Sequence, residues 1–206
     1  MRRILIATKN PGKIAELKAL LDIEKDIQWL SLDDFDDIPE VVEDGSTFEQ
    51  NSNKKALEYA KAANCWAIAD DSGLVIDALD GQPGVKSARF SGEKNPDRSL
   101  LDHKNMAKVL QLMNNIEQHK RSAKFVCNIT LASPDKILAQ TTGTLEGFIA
   151  QKEIGKNGFG YDPIFYLPEL KKTVAQLDKK HKNAISHRAN AIKKLKPLLE
   201  NILDKQ

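Results

Sequence analysis

Arg3-Ile-Leu-Ile-Ala7, followed at once by Thr8-Lys-Asn-Pro-Gly-Lys13 and then by Ile14-Ala-Glu-Leu-Lys-Ala-Leu-Leu21, is the stretch that decides the fold class. The first segment is an unbroken apolar run, the pattern of a buried strand, and Pro11 with Gly12 interrupts it. Ile14, Leu17, Leu20 and Leu21 then recur at helical spacing, so the order is strand, turn, helix. Lys13 falls at the start of that helix, where backbone N–H groups lack intrahelical partners and the helix dipole is positive. An anion is welcome there. Thr8, Lys9 and Asn10 bring a hydroxyl, an ammonium and an amide to the same turn. It is not a Walker A loop, which needs glycine at position 7 and a hydroxyl at position 14, where this chain has Ala7 and Ile14. The segment is either a phosphate cradle or an ordinary strand-to-helix turn.

The same alternation continues outward. Ile27 to Leu32 reads as a short strand, Asp33-Asp-Phe-Asp-Asp37 as a solvated turn, and residues 47 to 63 as a helix burying Phe48, Ala56, Leu57 and Ala60. Cys65-Trp-Ala-Ile-Ala69 is an apolar strand expected to stop at Asp70-Asp-Ser-Gly73, with a further strand from Leu74 to Ala78. Gly81 to Gly92, with Pro83, Lys86 and Arg89, looks like a functional loop. A helix follows over 99 to 113, carrying Leu100, Leu101, Met106, Val109, Leu110 and Met113 on its apolar face. Strands are expected at Phe125 to Ala132 and Ile137 to Leu145, then a glycine-rich turn over 155 to 160 and a short aromatic strand. The last helix is placed from about Asn183 to Ile202, with His187 interrupting its apolar stripe. Strands interleaved with helices give an α/β architecture, and the lack of repeats, low-complexity tracts or linkers favours one unit over 1–206.

Hydrophobic residues make up 41% and charged residues 29% of the 206, enough to bury a core. The 31 basic and 29 acidic residues nearly cancel, so no global field draws the chain to nucleic acid or an anionic membrane, and a phosphate ligand must be met locally. No apolar run approaches the ~20 residues of a membrane span. Cys65 and Cys127 sit in apolar runs without metal-ligand spacing and read as buried thiols, which suits a cytoplasmic location.

Four elements carry candidate chemistry. Asp70 and Asp71 close an apolar strand and ask for a cation, water or hydrogen bonds; they share one metal only if the chain turns at Ser72-Gly73, and otherwise form an acidic strand-end turn. The second is the Thr8–Lys13 turn. In Gly158-Phe-Gly-Tyr-Asp-Pro163, glycines let the backbone approach a ligand, Phe159 offers a face for stacking and Asp162 an acceptor, unless Phe159 is simply core. Lys182 and Ser186-His-Arg188 add donors on the final helix, His187 being either a structural histidine or a ligand-facing one. Carboxylates with bases and a glycine turn together suggest a metal–phosphate ligand.

Taken in order, Ala7-Thr-Lys-Asn-Pro-Gly-Lys13, Glu43-Asp-Gly-Ser-Thr-Phe48, Ile68-Ala-Asp-Asp-Ser-Gly-Leu74, Pro83-Gly-Val-Lys-Ser-Ala-Arg-Phe-Ser-Gly92, Gly158-Phe-Gly-Tyr-Asp-Pro163 and Ile185-Ser-His-Arg188 span nearly the whole chain. This set resembles the inosine triphosphate pyrophosphatase family, the Ham1-like non-canonical purine NTP pyrophosphatases, or dITP/XTP diphosphatases. The resemblance implies an elongated central mixed sheet flanked by helices, two lobes with a nucleotide-binding cleft between them, and a homodimer. It implies hydrolysis of ITP, dITP or XTP to the monophosphate and pyrophosphate, with Mg²⁺ as cofactor and no nucleic-acid or membrane partner.

It also implies roles. Asp71 is general base and metal ligand, with Asp70 and Glu43 as further ligands. Thr8, Lys9, Asn10, Pro11, Gly12, Lys13, Ser72 and Lys182 hold the polyphosphate. Phe159, Gly160 and Tyr161 receive the purine, while Asp162, His187 and Arg188 read its edge. The family's Glu-Glu-x-Gly segment is Val42-Glu-Asp-Gly45 here, so either Glu43 or Asp44 takes the metal position. A Maf-type nucleotide pyrophosphatase and a non-catalytic nucleotide sensor are the alternatives; the Ser-His-Arg segment disfavours the first, and the Val42 departure is the support for the second.

Overall fold

The structure is a computed structural model, and it describes residues 1–21, 26–93 and 97–205. The elements in chain order are β1 (Arg2–Ile6), α1 (Pro11–Leu20), β2 (Ile27–Ser31), α2 (Phe48–Ala63), β3 (Trp66–Ile76), α3 (Arg98–Leu112), β4 (Ser122–Ala132), β5 (Ile137–Ile149), β6 (Phe165–Leu167), β7 (Lys172–Thr173), α4 (Lys179–Ile185) and α5 (His187–Asp204). The seven strands form one sheet in the order β2-β1-β3-β4-β5-β6-β7. β1 runs parallel to both β2 and β3, as helical crossovers require, whereas β6 pairs antiparallel with β5 and β7. The α/β class and the mixed sheet expected from the sequence are both present.

The chain divides into two compact units. Unit 1 comprises Met1–Asp71, Cys127–Gly143 and His187–Gln206; unit 2 comprises Ser72–Val126 and Thr144–Ser186. In unit 1, strand alternation sorts the apolar side chains onto two faces. Ile4, Ile6, Trp66 and Ile68 join Cys127, Ile129 and Leu131 beneath Leu17 of α1 and Ala191, Ile192, Leu195 and Leu199 of α5. Leu5, Ala7, Ala67 and Ala69 pack instead with Ala56, Tyr59, Ala60 and Ala63 of α2. The same alternation sends Asp70 to the first face and Asp71 to the second. In unit 2, Leu74, Ile76, Phe125 and Phe165 pack with Met106, Val109 and Met113, and the rings of Phe125 and Phe165 stack at 4.3 Å.

Three local expectations are corrected. β3 does not stop at Asp70 but runs without a turn to Ile76, because it lies between β1 and β4 in the sheet and ladder bonding outweighs the turn preference of Asp-Ser-Gly. The final helix is two helices: Ser186 adopts extended φ −61° and ψ 156° while its N–H still bonds the Lys182 carbonyl. Serine is a residue type that favours helix ends, and His187 and Arg188 consequently open α5. Two amphipathic faces are also rotated from the apolar pattern. α2 buries Asn51, Ser52 and Lys55, with Phe48 and Leu57 only half-buried, and α3 buries Asp102 and Asn105 while Leu100 is exposed.

Candidate active site

The second turn of α2 organises the acidic face of unit 1. Thr47 caps this helix by accepting the Gln50 N–H, and residues four apart, Asn51 and Lys55, then project along one face. Asn51 donates to Asp71 Oδ2 at 2.9 Å and accepts the Gly45 N–H at 2.8 Å, tying the 43–45 segment to β3. The Lys55 ammonium donates to Glu43 Oε1 at 2.8 Å and to the Asp70 carbonyl at 2.6 Å, and lies 3.7 Å from Asp71 Oδ1. Asp44, by contrast, pairs with Lys54 at the surface. Glu43, and not Asp44, thus lies with Asp71 at the Lys55 ammonium. Burial raises the Asp71 carboxyl above its ordinary value, opposed by Lys55 and Lys13 and reinforced by Glu43. A carboxylate so raised is suited to accept a proton.

Asp70 has a different setting on the opposite face of β3. Arg188 donates to its Oδ2 through Nη2 at 2.9 Å and through Nε at 3.3 Å, and the Lys13 ammonium stands 3.1 Å from the same oxygen. A third hydrogen bond joins Arg188 Nη1 to Glu16 of α1. Burial alone would raise the Asp70 carboxyl, but Lys13, Arg188 and Lys55 outweigh it and hold the group well below the usual carboxylate range. The chain makes no turn at Ser72-Gly73, so neither the shared point nor the strand-end turn is formed: the continuous strand gives Asp70 and Asp71 separate partners. Arg188, expected at the purine edge, is fully buried between two carboxylates.

At the entry to α1, Asn10 is the N-cap and its Oδ1 accepts the N–H groups of Gly12 at 2.9 Å and Lys13 at 3.2 Å. Two donors that the sequence reading left open to an anion are therefore engaged by a side chain. Pro11 occupies the first helical turn, Thr8 Oγ1 accepts the Asn10 N–H at 3.2 Å, and Lys9 is exposed, 3.9 Å from Glu40. His187 is buried at the head of α5 in the same unit.

Unit 2 holds the aromatic turn. Asp162 Oδ2 accepts the Phe159 N–H at 3.0 Å and the Lys182 ammonium at 2.6 Å, and that ammonium sits 4.4 Å from the centre of the half-buried Phe159 ring. Gly158 has φ +80°, and a Cβ there would lie 2.0 Å from Asp162 Oδ2, so only glycine fits. Tyr161 is buried and donates its hydroxyl to the Ser87 carbonyl at 2.8 Å. Ser72 is half-buried on β3. Phe159, Gly160, Tyr161, Asp162 and Lys182 are therefore together, as are Lys13, Asp70 and Arg188, and Glu43 and Asp71. Lys55 and Asn51 carry little sequence signal, only a pair of polar residues four apart on the face that also carries Ala56 and Tyr59.

A family model described as the Ham1 family matches residues 4–198. The chain belongs to the Ham1 family. Relatives named dITP/XTP pyrophosphatase include one from Bacillus anthracis, 48% identical over 197 residues with 95% of each chain covered, and one from Shouchella clausii, 43% identical over 205 residues with 100% of each covered. The structure of a HAM1 protein from Coxiella burnetii matches with a TM-score of 0.87 at 40% identity, covering 98% of this chain and 100% of that one. A nucleoside-triphosphatase, or dITP/XTP pyrophosphatase, from Mycobacterium abscessus matches with a TM-score of 0.75 at 39% identity, covering 96% and 99%. Among the described residues no group of three or more His, Cys, Asp or Glu side chains forms a ready metal cage. Glu43 and Asp71 supply the carboxylate oxygens that a hard divalent cation takes, one or two at a time, beside water and substrate phosphates.

Proposed function

We propose that this Ham1-family chain hydrolyses non-canonical purine nucleoside triphosphates, ITP, dITP and XTP, to the monophosphate and pyrophosphate. The observation that carries the reading is the grouping of Glu43 and Asp71 around the Lys55 ammonium, two hard oxygen donors beside a fixed cation. That grouping serves a ligand that brings both a divalent ion and negative oxygens. Relatives bearing the name dITP/XTP pyrophosphatase over the full length support the same substrate class.

In this mechanism Glu43 and Asp71 would hold Mg²⁺, which when bound would neutralise polyphosphate charge and make water more acidic. Asp71 is the general base: its carboxylate accepts the proton of the water that attacks the α-phosphorus, and pyrophosphate leaves. Asn51 fixes the orientation of that carboxylate through Oδ2, leaving Oδ1 toward Lys55. Lys13, Lys9 and Thr8 supply charge and a hydroxyl to the phosphates, with Ser72 as a further donor. Asp70, locked by Arg188, orients the Lys13 ammonium. The purine is assigned to the Phe159 turn. Lys182, expected among the polyphosphate ligands, stands instead at the Phe159 ring and Asp162, so a 6-oxopurine offers it an acceptor whereas adenine offers an amino donor, and such a mismatch in a buried site discriminates by up to ~10⁴ to 10⁵.

A cytoplasmic homodimer is the setting we attach to this reading. The test is a nucleotide panel with and without Mg²⁺, reading monophosphate and pyrophosphate by chromatography. Stoichiometric monophosphate and pyrophosphate from ITP or XTP, abolished by chelation, is the expected result. Nucleotide binding with no product would establish a sensor instead.

A further inference from the structure

We infer that Asp102, on α3, is a positioning residue for nucleobase selection: it pins the backbone of the Phe159 turn from outside and so fixes the surface on which the purine lies. This rests on the functional reading above, in which that turn receives the base.

The turn is short of internal order. Gly158 and Gly160 both have positive φ, +80° and +62°, and the segment from Gln151 to Tyr161 contains no helix or strand. A glycine-flanked aromatic would sample many orientations unless its backbone donors were held. Two carboxylates hold them in succession. Asp162 accepts the Phe159 N–H at 3.0 Å from within the turn, and Asp102 Oδ2 accepts the Gly160 N–H at 2.8 Å from 58 positions away. A third tie runs from the Tyr161 hydroxyl to the Ser87 carbonyl at 2.8 Å.

Asp102 is itself prepared for this task. It is buried on a helix whose neighbouring polar face residue, Asn105, is also buried, and Arg98 one turn earlier stands 3.2 Å from its other oxygen, Oδ1. One oxygen is thus held by a guanidinium and the other is aimed at a single amide. A charge-assisted bond from carboxylate to backbone N–H is the stronger kind, and losing it leaves Gly160 free to rotate the adjoining Phe159. Because Asp71 and Glu43, the groups assigned to proton transfer and to the metal, belong to unit 1, and Asp102 ties only the Phe159 turn, Asp102 acts on how the base is bound and not on the chemical step.

The expected signature is a separation of kinetic parameters. Asp102→Ala should raise KM for ITP about tenfold, leave kcat within about twofold and compress the ITP-to-ATP ratio of kcat/KM, since a loosened platform discriminates less. Asp102→Asn, whose amide oxygen accepts the same N–H, should recover most of the KM. A purely structural role predicts something else: a smaller active fraction, seen as lower kcat with unchanged KM and an unchanged substrate ratio. That pattern, or equal defects in Asp102→Asn and Asp102→Ala, overturns the inference. Should Asp102→Ala fail to fold, Asp102→Ser, whose hydroxyl is too short to reach Gly160, carries the same expectation and the same refutation. Wild-type protein that neither binds nor hydrolyses ITP overturns the functional reading and this inference with it; wild-type turnover with kinetically silent Asp102 variants overturns this inference alone.

Discussion

Replacing Arg188 by leucine tests the buried charge arrangement most directly. The Arg188 side chain is 1% exposed and its two partners, Asp70 and Glu16, are 0% and 7% exposed, so no water replaces the lost guanidinium. Removing one member of a buried ion pair costs about 3–5 kcal/mol, because the remaining charge stays desolvated. Lys13 persists 3.1 Å from Asp70 and offsets part of this, which places the expected loss near the lower end, about 3 kcal/mol. For a chain of this size that corresponds to a fall in Tm of roughly 6–12 °C. The pH dependence has a definite sign. In the wild type, Asp70 is held below the usual range, so its contribution is complete above its unfolded pKa and is lost as pH falls toward the folded value. Without Arg188, burial moves the carboxyl upward, the folded variant takes up a proton more readily, and the stability deficit narrows as pH is lowered from 8 to 5. Urea unfolding of metal-free protein, followed by circular dichroism at both pH values, measures it. A deficit below about 1 kcal/mol at pH 8, or one that widens at pH 5, would refute the charge-burial argument. A changed ITP-to-ATP ratio with unaltered stability would return Arg188 to the purine edge.

Asp71→Asn is expected to lower pyrophosphate release from ITP by at least ~100-fold with little change in thermal stability, since the amide keeps the shape but cannot accept the proton; turnover within tenfold of wild type contradicts the general-base role. Gly158→Ala places a methyl group against the Asp162 carboxylate in a positive-φ conformation and is expected to raise KM for ITP by an order of magnitude or more, measured by steady-state kinetics; an unchanged KM means the turn does not receive the base. Cys65 and Cys127 are both buried, and burial raises both thiols, that of Cys127 to about 12, so neither reacts with a disulfide reagent in the native state and both react in urea. Prompt labelling of either native thiol would show that its packing opens.

Residues whose meaning is local were legible. Thr47 before a charged, alanine-rich run marks a helix start because capping needs only neighbouring groups, and Gly158-Phe-Gly-Tyr-Asp162 marks a tight turn for the same reason. The triplet Asp71-Ser-Gly73 has the composition of a turn and is the middle of β3, since local preference there yields to strand neighbours supplied from elsewhere in the chain. Lys55 was hidden among surface-type residues: a lysine on a mostly polar helix reads as solvated until the fold sets a carbonyl and two carboxylates in front of it. Asp102 is likewise inconspicuous in a helix whose apolar pattern is set by leucines, one of which, Leu100, is exposed.

The amino-acid order alone determined the α/β class, the starts of α2 and α3, the buried thiols and the motif set that resembles nucleotide pyrophosphatases, because each depends on periodicity, capping or short-range spacing. The tertiary structure decided that adjacent Asp70 and Asp71 face opposite sides of one strand, that Glu43 rather than Asp44 joins Asp71, and that Arg188 is spent on buried carboxylates. Charge pairing acts through space between segments as far apart as α1, β3 and α5, and no linear pattern specifies which oppositely charged groups the packing will bring to 2.9–3.1 Å.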